Sequence, residues 1–361
     1  MLKLAAARAN LVRLQFVRPV RTARGEFAGR ASVLLELRDQ DGVVGYGEAA
    51  PWPGFGTESP DEALAKLSDA RAMLSGVEAE PGQWSAELDA HLRDAPAARA
   101  AVQGALWDLA ARRAGRPLAD QLTACVGPLC GAPLRQVHAS ALLVARDPDA
   151  LRDEAAGARA AGHLAAKLKL GGASLAEDVA RARAARAGAG EEVALRGDAN
   201  GAWGSAEALA ALDALEQFRF DYIEQPLPAD DIEGLAELHR RSPVRLAADE
   251  SVATAQGAMR LIAAGAVDVV ILKPATLGGP ARALAIAAEA RRCGIQVVFS
   301  HTFESAVGAR HVLHCAAAWG DPAAVHGLAT AGLFTSDVAE PVRCRAGWAE
   351  VSAAPGLGVS P

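Results

Sequence analysis

Residues 193–225 read VALRGDANGAWGSAEALAALDALEQFRFDYIEQ. A short apolar run ends in Asp198, an Ala- and Leu-rich stretch long enough for one helix follows, and a second apolar run ends in Glu224. Run, helix and run is the pattern of a βα unit in a parallel sheet, whose strands are covered on both faces and so lack polar alternation. The pattern continues in both directions. HASALLV (138–144) and AAKLKL (165–170) precede it; VRLAADE (244–250), VDVVILK (267–273), IQVVFS (295–300) and AVHGLA (324–329) follow. The eight runs are separated by helical stretches such as SLAEDVARARAARAG (174–188) and GPARALAIAAEARRCG (279–294). Eight repeats favour a closed barrel over an open sheet.

The chain before the barrel has another grammar. LVRLQFV (11–17), ASVLLEL (31–37) and VVGYGEA (43–49) read as short strands, with Asp41-Gly42 as a tight-turn signal, and predict a small antiparallel sheet. After Pro60 come Ala-rich stretches, notably AARAAVQGALWDLAARRAG (97–115), closed by Gly115 and Pro117. The expected organisation is an α+β domain over 1–130, a barrel over 131–330 and a Gly- and Pro-rich segment over 331–361 that returns to the first domain.

Composition narrows the partners. With 361 residues, 51% of them hydrophobic, the chain can build a large barrel and a smaller domain. Its 37 basic and 43 acidic residues leave a net charge of -6 with no basic block, which argues against nucleic acid. Cys125, Cys130, Cys293, Cys315 and Cys344 are scattered without zinc-site spacing, as expected of reduced thiols in a cytoplasmic protein. Arg8 and Arg13 interrupt the apolar start, so neither an export signal nor a membrane span is expected.

The polar residues that end the apolar runs carry the chemistry, because barrel active sites lie at the C-terminal mouth of the strands. They are Lys167 and Lys169, Asp198 and Asn200, Glu224, Asp249, and Lys273. From Asp198 to Lys273 the steps are 26, 25 and 24 residues, about one βα unit each. One such carboxylate would read as a solvated loop residue. Three on neighbouring strands repel one another unless they share a cation, and oxygen-only donors favour magnesium, or manganese, over zinc. Lys167 and Lys169 are two apart and project to one strand face, so mutual repulsion and burial are expected to lower the pKa of one enough to make it a general base. Lys273 faces the same space from the far side. A substrate carboxylate on the cation, with lysines on both faces of its α-carbon, describes proton abstraction next to a carboxylate.

KLKLGG, GDANGAW, IEQP, ADES and ILKP together resemble the muconate-lactonizing-enzyme subgroup of the enolase superfamily, over nearly the whole chain. The resemblance implies an enolase-type modified TIM barrel, (β/α)7β, with an N-terminal α+β capping domain. It implies Asp198, Glu224 and Asp249 as magnesium ligands, Lys169 as base and Lys273 as the lysine of the opposite face. GYGEAAPWPGFGTES (45–59), Arg196 before Asp198, and FSHTFESAVG (299–308) with HGLATAGLF (326–334) are similar to the o-succinylbenzoate synthase family. That likeness implies a hydro-lyase of menaquinone biosynthesis acting on a small carboxylate, with Phe55, Lys167, Arg196, Asn200 and Ser300 at the substrate. His301 and Thr302 depart from it, standing where small serines are common, and Gly201 replaces a frequent arginine. The alternative within the subgroup is an N-acylamino-acid racemase or dipeptide epimerase. HGLAT lacks the paired acidic residues expected to grip a peptide amine.

Overall fold

The computed structural model describes residues 2–22, 25–75, 78–79, 81, 83–127 and 129–361. Its N-terminal sheet runs in the order β3-β2-β1-β4, with β1 (Leu2–Thr22), β2 (Gly25–Asp39), β3 (Val44–Ala49) and β4 (Glu78–Ala79). β1 and β2 are far longer than the short runs read from sequence. β1 begins at Leu2 because that end pairs with β4, Leu2 opposite Ala79, while its body pairs with β2. One face of this sheet is covered by α1 (Pro60–Leu74), α2 (Ala86–His91) and α3 (Pro96–Arg113); α4 (Leu118–Val126) leads away from it. Val33, Leu35 and Leu37 alternate toward Leu67, Ala98, Ala101, Ala105 and Leu109 in a core of their own.

The first barrel run is split at Ser140. β5 (Gln136–Ala139) joins a second small sheet, and β6 (Ala141–Leu143) opens the barrel. There follow α5 (Pro148–Ala160), β7 (Ala165–Lys169), α6 (Leu175–Ala189), β8 (Ala194–Asp198), α7 (Ser205–Leu215), β9 (Phe220–Glu224), α8 (Ile232–Arg241), β10 (Leu246–Ala248) and α9 (Ala255–Ala264). β11 (Val269–Leu272), α10 (Pro274–Leu277), α11 (Pro280–Arg292), β12 (Gln296–Phe299), α12 (Ala306–Trp319) and β13 (Val325–His326) complete the series. Strands β6 to β12 form one parallel seven-stranded sheet in sequence order. β13 closes it: Ser300 bridges Gly327 on one side, and Ser140 N–H donates to His326 O on the other. Among the described residues no helix follows β13, so the barrel is of the (β/α)7β type.

β14 (Cys344–Arg345) and β15 (Trp348–Glu350) pair beside β5. The chain then returns to the N-terminal unit. Leu118 N–H donates to Gly356 O, Gly356 N–H to Arg116 O and Leu357 N–H to the buried Asp108 carboxylate on α3.

Candidate active site

Inward-facing side chains of alternate strand positions stack in layers inside the barrel. Tyr222, Ala247, Val269, Ile271 and Val298 form a small buried cluster of their own. Charged side chains stand beside it, with Lys167 opposite Arg196 and Arg196 opposite Tyr222. The strand register sets Lys169 opposite Asp198 and Asp198 opposite Glu224, so these three stand side by side on β7, β8 and β9. Asp249 follows β10 and Lys273 follows β11, completing the arc. All line one cavity of about 1070 Å³.

Lys167 Nζ is 2.8 Å from both Asp198 and Glu224; Lys169 Nζ is 2.7 Å from Asp198 and donates to Asn200 Oδ1 at 2.8 Å. Lys273 pairs with Asp249 at 2.5 Å, on the far side of the carboxylate arc from Lys169. Phe55, from the loop after β3, lies over Lys273 with its ring centroid 4.0 Å from Nζ. The capping loop therefore reaches the barrel mouth.

Burial pushes Lys167 down, but Asp198, Glu224 and Asp249 outweigh it and hold its pKa well above the ordinary lysine value. Asp198 faces the same balance from the other side: burial would raise it, yet Lys167 and Lys169 hold it well below the carboxylate range. Glu224 is pushed up to about 8, by burial and then by Asp198, despite Lys167.

Two carboxylate oxygens in this arc, Glu224 Oε2 and Asp249 Oδ1, are buried without a hydrogen-bond partner. Orphaned carboxylate oxygens are costly, and a cation is their natural complement. Among the described residues no three His, Cys, Asp or Glu side chains stand arranged as a ready metal cage. The ammonium groups of Lys167, Lys169 and Lys273 sit on the carboxylates instead. The donor set, oxygen only and from three adjacent strands, fits a hard divalent ion.

Ser300 lines the cavity, its Oγ 3.5 Å from Gly327 O. Asn200, in a left-handed conformation (φ 48°), ties Lys169 to Glu250 through Oδ1 and Nδ2. Arg196 also lines the cavity, buried over the Tyr222 ring, with its guanidinium donating to Asp221 and to Val325 O. These bonds link β8 to β9 and to β13.

Further residues build the walls of the cavity and their supports, of which Glu250, Gln225 and Thr330 carry no signal in the sequence. Glu250 is turned inward by the short 3-10 turn Glu250–Val252 and joins the acidic arc. Gln225 accepts from the backbone N–H groups of Asp249 and Ser251, fixing the turn that presents Asp249. His301 and Thr330, from the ends of β12 and β13, meet at 2.6 Å, and burial lowers the His301 pKa to about 4, so this wall is neutral. No carboxylate lines the cavity from the segment after β13, which contributes Gly327, Ala329, Thr330, Gly332 and Leu333.

Among the described residues no helix is long and apolar enough to cross a membrane. Residues 150–361 match the enolase C-terminal domain-like family, and residues 7–123 match the N-terminal domain of the mandelate racemase/muconate lactonizing enzyme family. A hydrophobic dipeptide epimerase of Enterococcus faecalis is 30% identical over 345 residues, 94% of this chain and 94% of that protein. An o-succinylbenzoate synthase of Mycobacterium tuberculosis is 44% identical, but over 188 residues, 51% of this chain and 55% of that protein. The crystal structure of the Enterococcus faecalis dipeptide epimerase complexed with Mg and the dipeptide L-Leu-L-Tyr has a TM-score of 0.88 and 26% identity, covering 99% of this chain and 100% of that one.

Proposed function

This chain belongs to the mandelate racemase/muconate lactonizing enzyme family of the enolase superfamily, and from that premise we propose that it removes the proton α to a substrate carboxylate. The observation that carries the reading is the arc of three carboxylates with lysines at its two ends, Lys169 on Asp198 and Lys273 on Asp249. Asp198, Glu224 and Asp249 would hold magnesium, for which manganese is a possible substitute. When bound, the ion would supply positive charge against the second negative charge that develops on the carboxylate as the proton leaves. The orphaned oxygens of Glu224 and Asp249 support this, as does the similar epimerase solved with Mg.

In the proposed reaction Lys169, as the neutral amine, accepts the α-proton at Nζ, a nitrogen that Asn200 and Asp198 hold at the edge of the arc. Lys167 is a permanent cation beside Glu224. Lys273, under the Phe55 ring, faces the opposite side of the reacting carbon. For the fate of the carbanion we favour dehydration, as in o-succinylbenzoate synthase. The C–H electron pair moves into a new C=C bond, the β C–O bond breaks, and the hydroxyl departs as water with the proton that Lys169 took from the α-carbon. Two features support this choice: the neutral His301–Thr330 wall with no carboxylate after β13 to hold a peptide amine, and the half-length likeness to o-succinylbenzoate synthase.

The second reading is an isomerase, an N-acylamino-acid racemase or dipeptide epimerase, in which Lys273 returns the proton to the other face. The full-length likeness to the dipeptide epimerase favours it, and does so over more of the chain than the synthase likeness extends. Purified protein with magnesium, offered the cyclohexadiene precursor of o-succinylbenzoate, an N-succinylamino acid and L-Leu-L-Tyr in turn, separates the two. Dehydration is expected to be much the fastest. Efficient epimerisation without dehydration would install the isomerase reading and leave the α-proton chemistry in place.

A further inference from the structure

The loop that brings Phe55 to Lys273 hangs from β3, and β3 ends in a buried carboxylate that serves no reacting atom. Glu48 crosses from the N-terminal unit to the first turn of α12, the last barrel helix. Its Oε1 accepts from Ser305 N–H at 3.0 Å, and its Oε2 accepts from Gly308 N–H at 2.8 Å and from the Ser305 hydroxyl. A carboxylate at that position satisfies helix donors that have no intrahelical partner. The fit is close: a Cβ on Gly308 would come within 2.9 Å of Glu48 Oε2. β3 is equally fixed on its other side, where a Cβ on Gly47 would come within 1.9 Å of Ala101 O on α3.

Arg30, on β2, continues the clamp. Its Nη2 donates to Pro51 O at 3.1 Å and to Ala50 O at 3.3 Å, and its guanidinium lies 4.3 Å from the centroid of the Trp52 ring. The buried guanidinium also faces Glu304 and Glu48, whose charges offset part of its burial cost. Trp52 in turn packs edge-on against Phe55 at 5.9 Å and tilts against Phe303 of the barrel at the same distance. At the far end of the loop, Glu58 caps α3 through the backbone N–H groups of Ala97 and Ala98. The loop is therefore held at both ends and pinned in the middle.

We propose that Glu48 and Arg30 are positioning residues, which tie the capping loop to the barrel and so set Phe55 over Lys273. The inference rests on the reading of Lys273 as part of the reacting site. A merely structural role would lower thermal stability alone; a positioning role moves substrate affinity and does so through Phe55.

The test is a double-mutant cycle on kcat and KM with Glu48→Gln, Phe55→Ala and the pair, using whichever carboxylate substrate the protein turns over, together with amide hydrogen exchange over residues 50–57. Glu48→Gln is expected to raise KM about tenfold with kcat little changed, and to add little in the Phe55→Ala background, because residues that act through one contact are not additive. Exchange across 50–57 is expected to speed up. Ser305→Ala, which removes only the hydroxyl bond to Glu48, is expected to give the same changes in milder form and covers the case in which Glu48→Gln fails to fold. Effects that multiply independently in the double variant, or unchanged KM and unchanged amide exchange in a folded variant, would overturn the proposal. The exchange arm needs no substrate, so it reports on the clamp even if the proposed reaction is wrong.

Discussion

Lys169 and Lys167 are two residues apart on one strand, yet the structure gives them different partners. Lys167 is locked between Asp198 and Glu224 and is held protonated by them, whereas Lys169 stands at the end of the arc on Asp198 and Asn200. The sequence makes both visible, since each interrupts an apolar run, but their division of labour depends on how many carboxylates each meets. That number comes from strand register. The same limit hid Glu250: it follows Asp249 directly, and only the turn after β10 swings it into the cavity. His301 and Thr330 are 29 residues apart and meet only because β13 closes the barrel beside β12. At this scale Glu224→Gln keeps shape and removes one ligand charge. Magnesium affinity measured by titration calorimetry is expected to fall at least ~10-fold, since affinity at oxygen sites follows ligand charge. Undiminished affinity, with the fold intact, would remove Glu224 from the metal site.

Elements were legible where their pattern was local. β7 to β12 each read as an apolar run ended by a polar residue, and their helices as Ala-rich stretches of one helix length. The apolar run 11–17 stops nine residues short of the start of β1 and five short of its end, because Leu2 to Asn10 gain their extended form from β2 and β4, not from their own alternation. The β2–β3 corner shows what such pairing demands. Asp39 is buried there and accepts from Val43 N–H at 2.8 Å and Asp41 N–H at 3.0 Å, with Arg113 of α3 at 2.5 Å. Burial would raise its pKa, but Arg113 and the two N–H groups prevail and hold it below the ordinary value. A carboxyl with a lowered folded-state pKa stabilises fully above its unfolded value of about 4, and the contribution is lost as pH falls through the lower folded value. Asp39→Asn is therefore expected to lower stability by about 1–2 kcal/mol at pH 7 and by much less near pH 3, measured by urea unfolding. A difference independent of pH would contradict the assignment. Gly47→Ala is a harsher case, since its Cβ would drive β3 off α3; a loss of about 3 kcal/mol or more is expected.

For the whole molecule, the barrel could be read from repetition and the capping unit from the change of pattern before it. A return of the C-terminal segment to the first unit is expected from sequence too, but the bonds that make it are not. The C-terminal return is built from backbone bonds at Leu118, Gly356 and Leu357, and from the buried Asp108 carboxylate, none of which has a sequence signature. Leu357 is fully buried, so removal of residues 352–361 exposes its site and leaves Asp108 without one partner. The expected cost is about 3 kcal/mol, from ~2 for the side chain and ~1 for the hydrogen bond, read as a fall in Tm of several degrees. An unchanged Tm would show that the two units do not need the return.

In the proposed function these scales meet: the barrel register sets Lys169 beside Asp198 in an arc of carboxylates that would hold a divalent ion, and the arrangement would remove an α-proton. It is tested most directly by proton NMR of the substrate α-position in deuterium oxide with magnesium, comparing the native chain with Lys169→Ala. The native chain is expected to exchange the α-proton for deuterium, and Lys169→Ala to lose that exchange by at least ~1000-fold while remaining folded. Exchange that persists in Lys169→Ala at the native rate would contradict the account and move the base elsewhere.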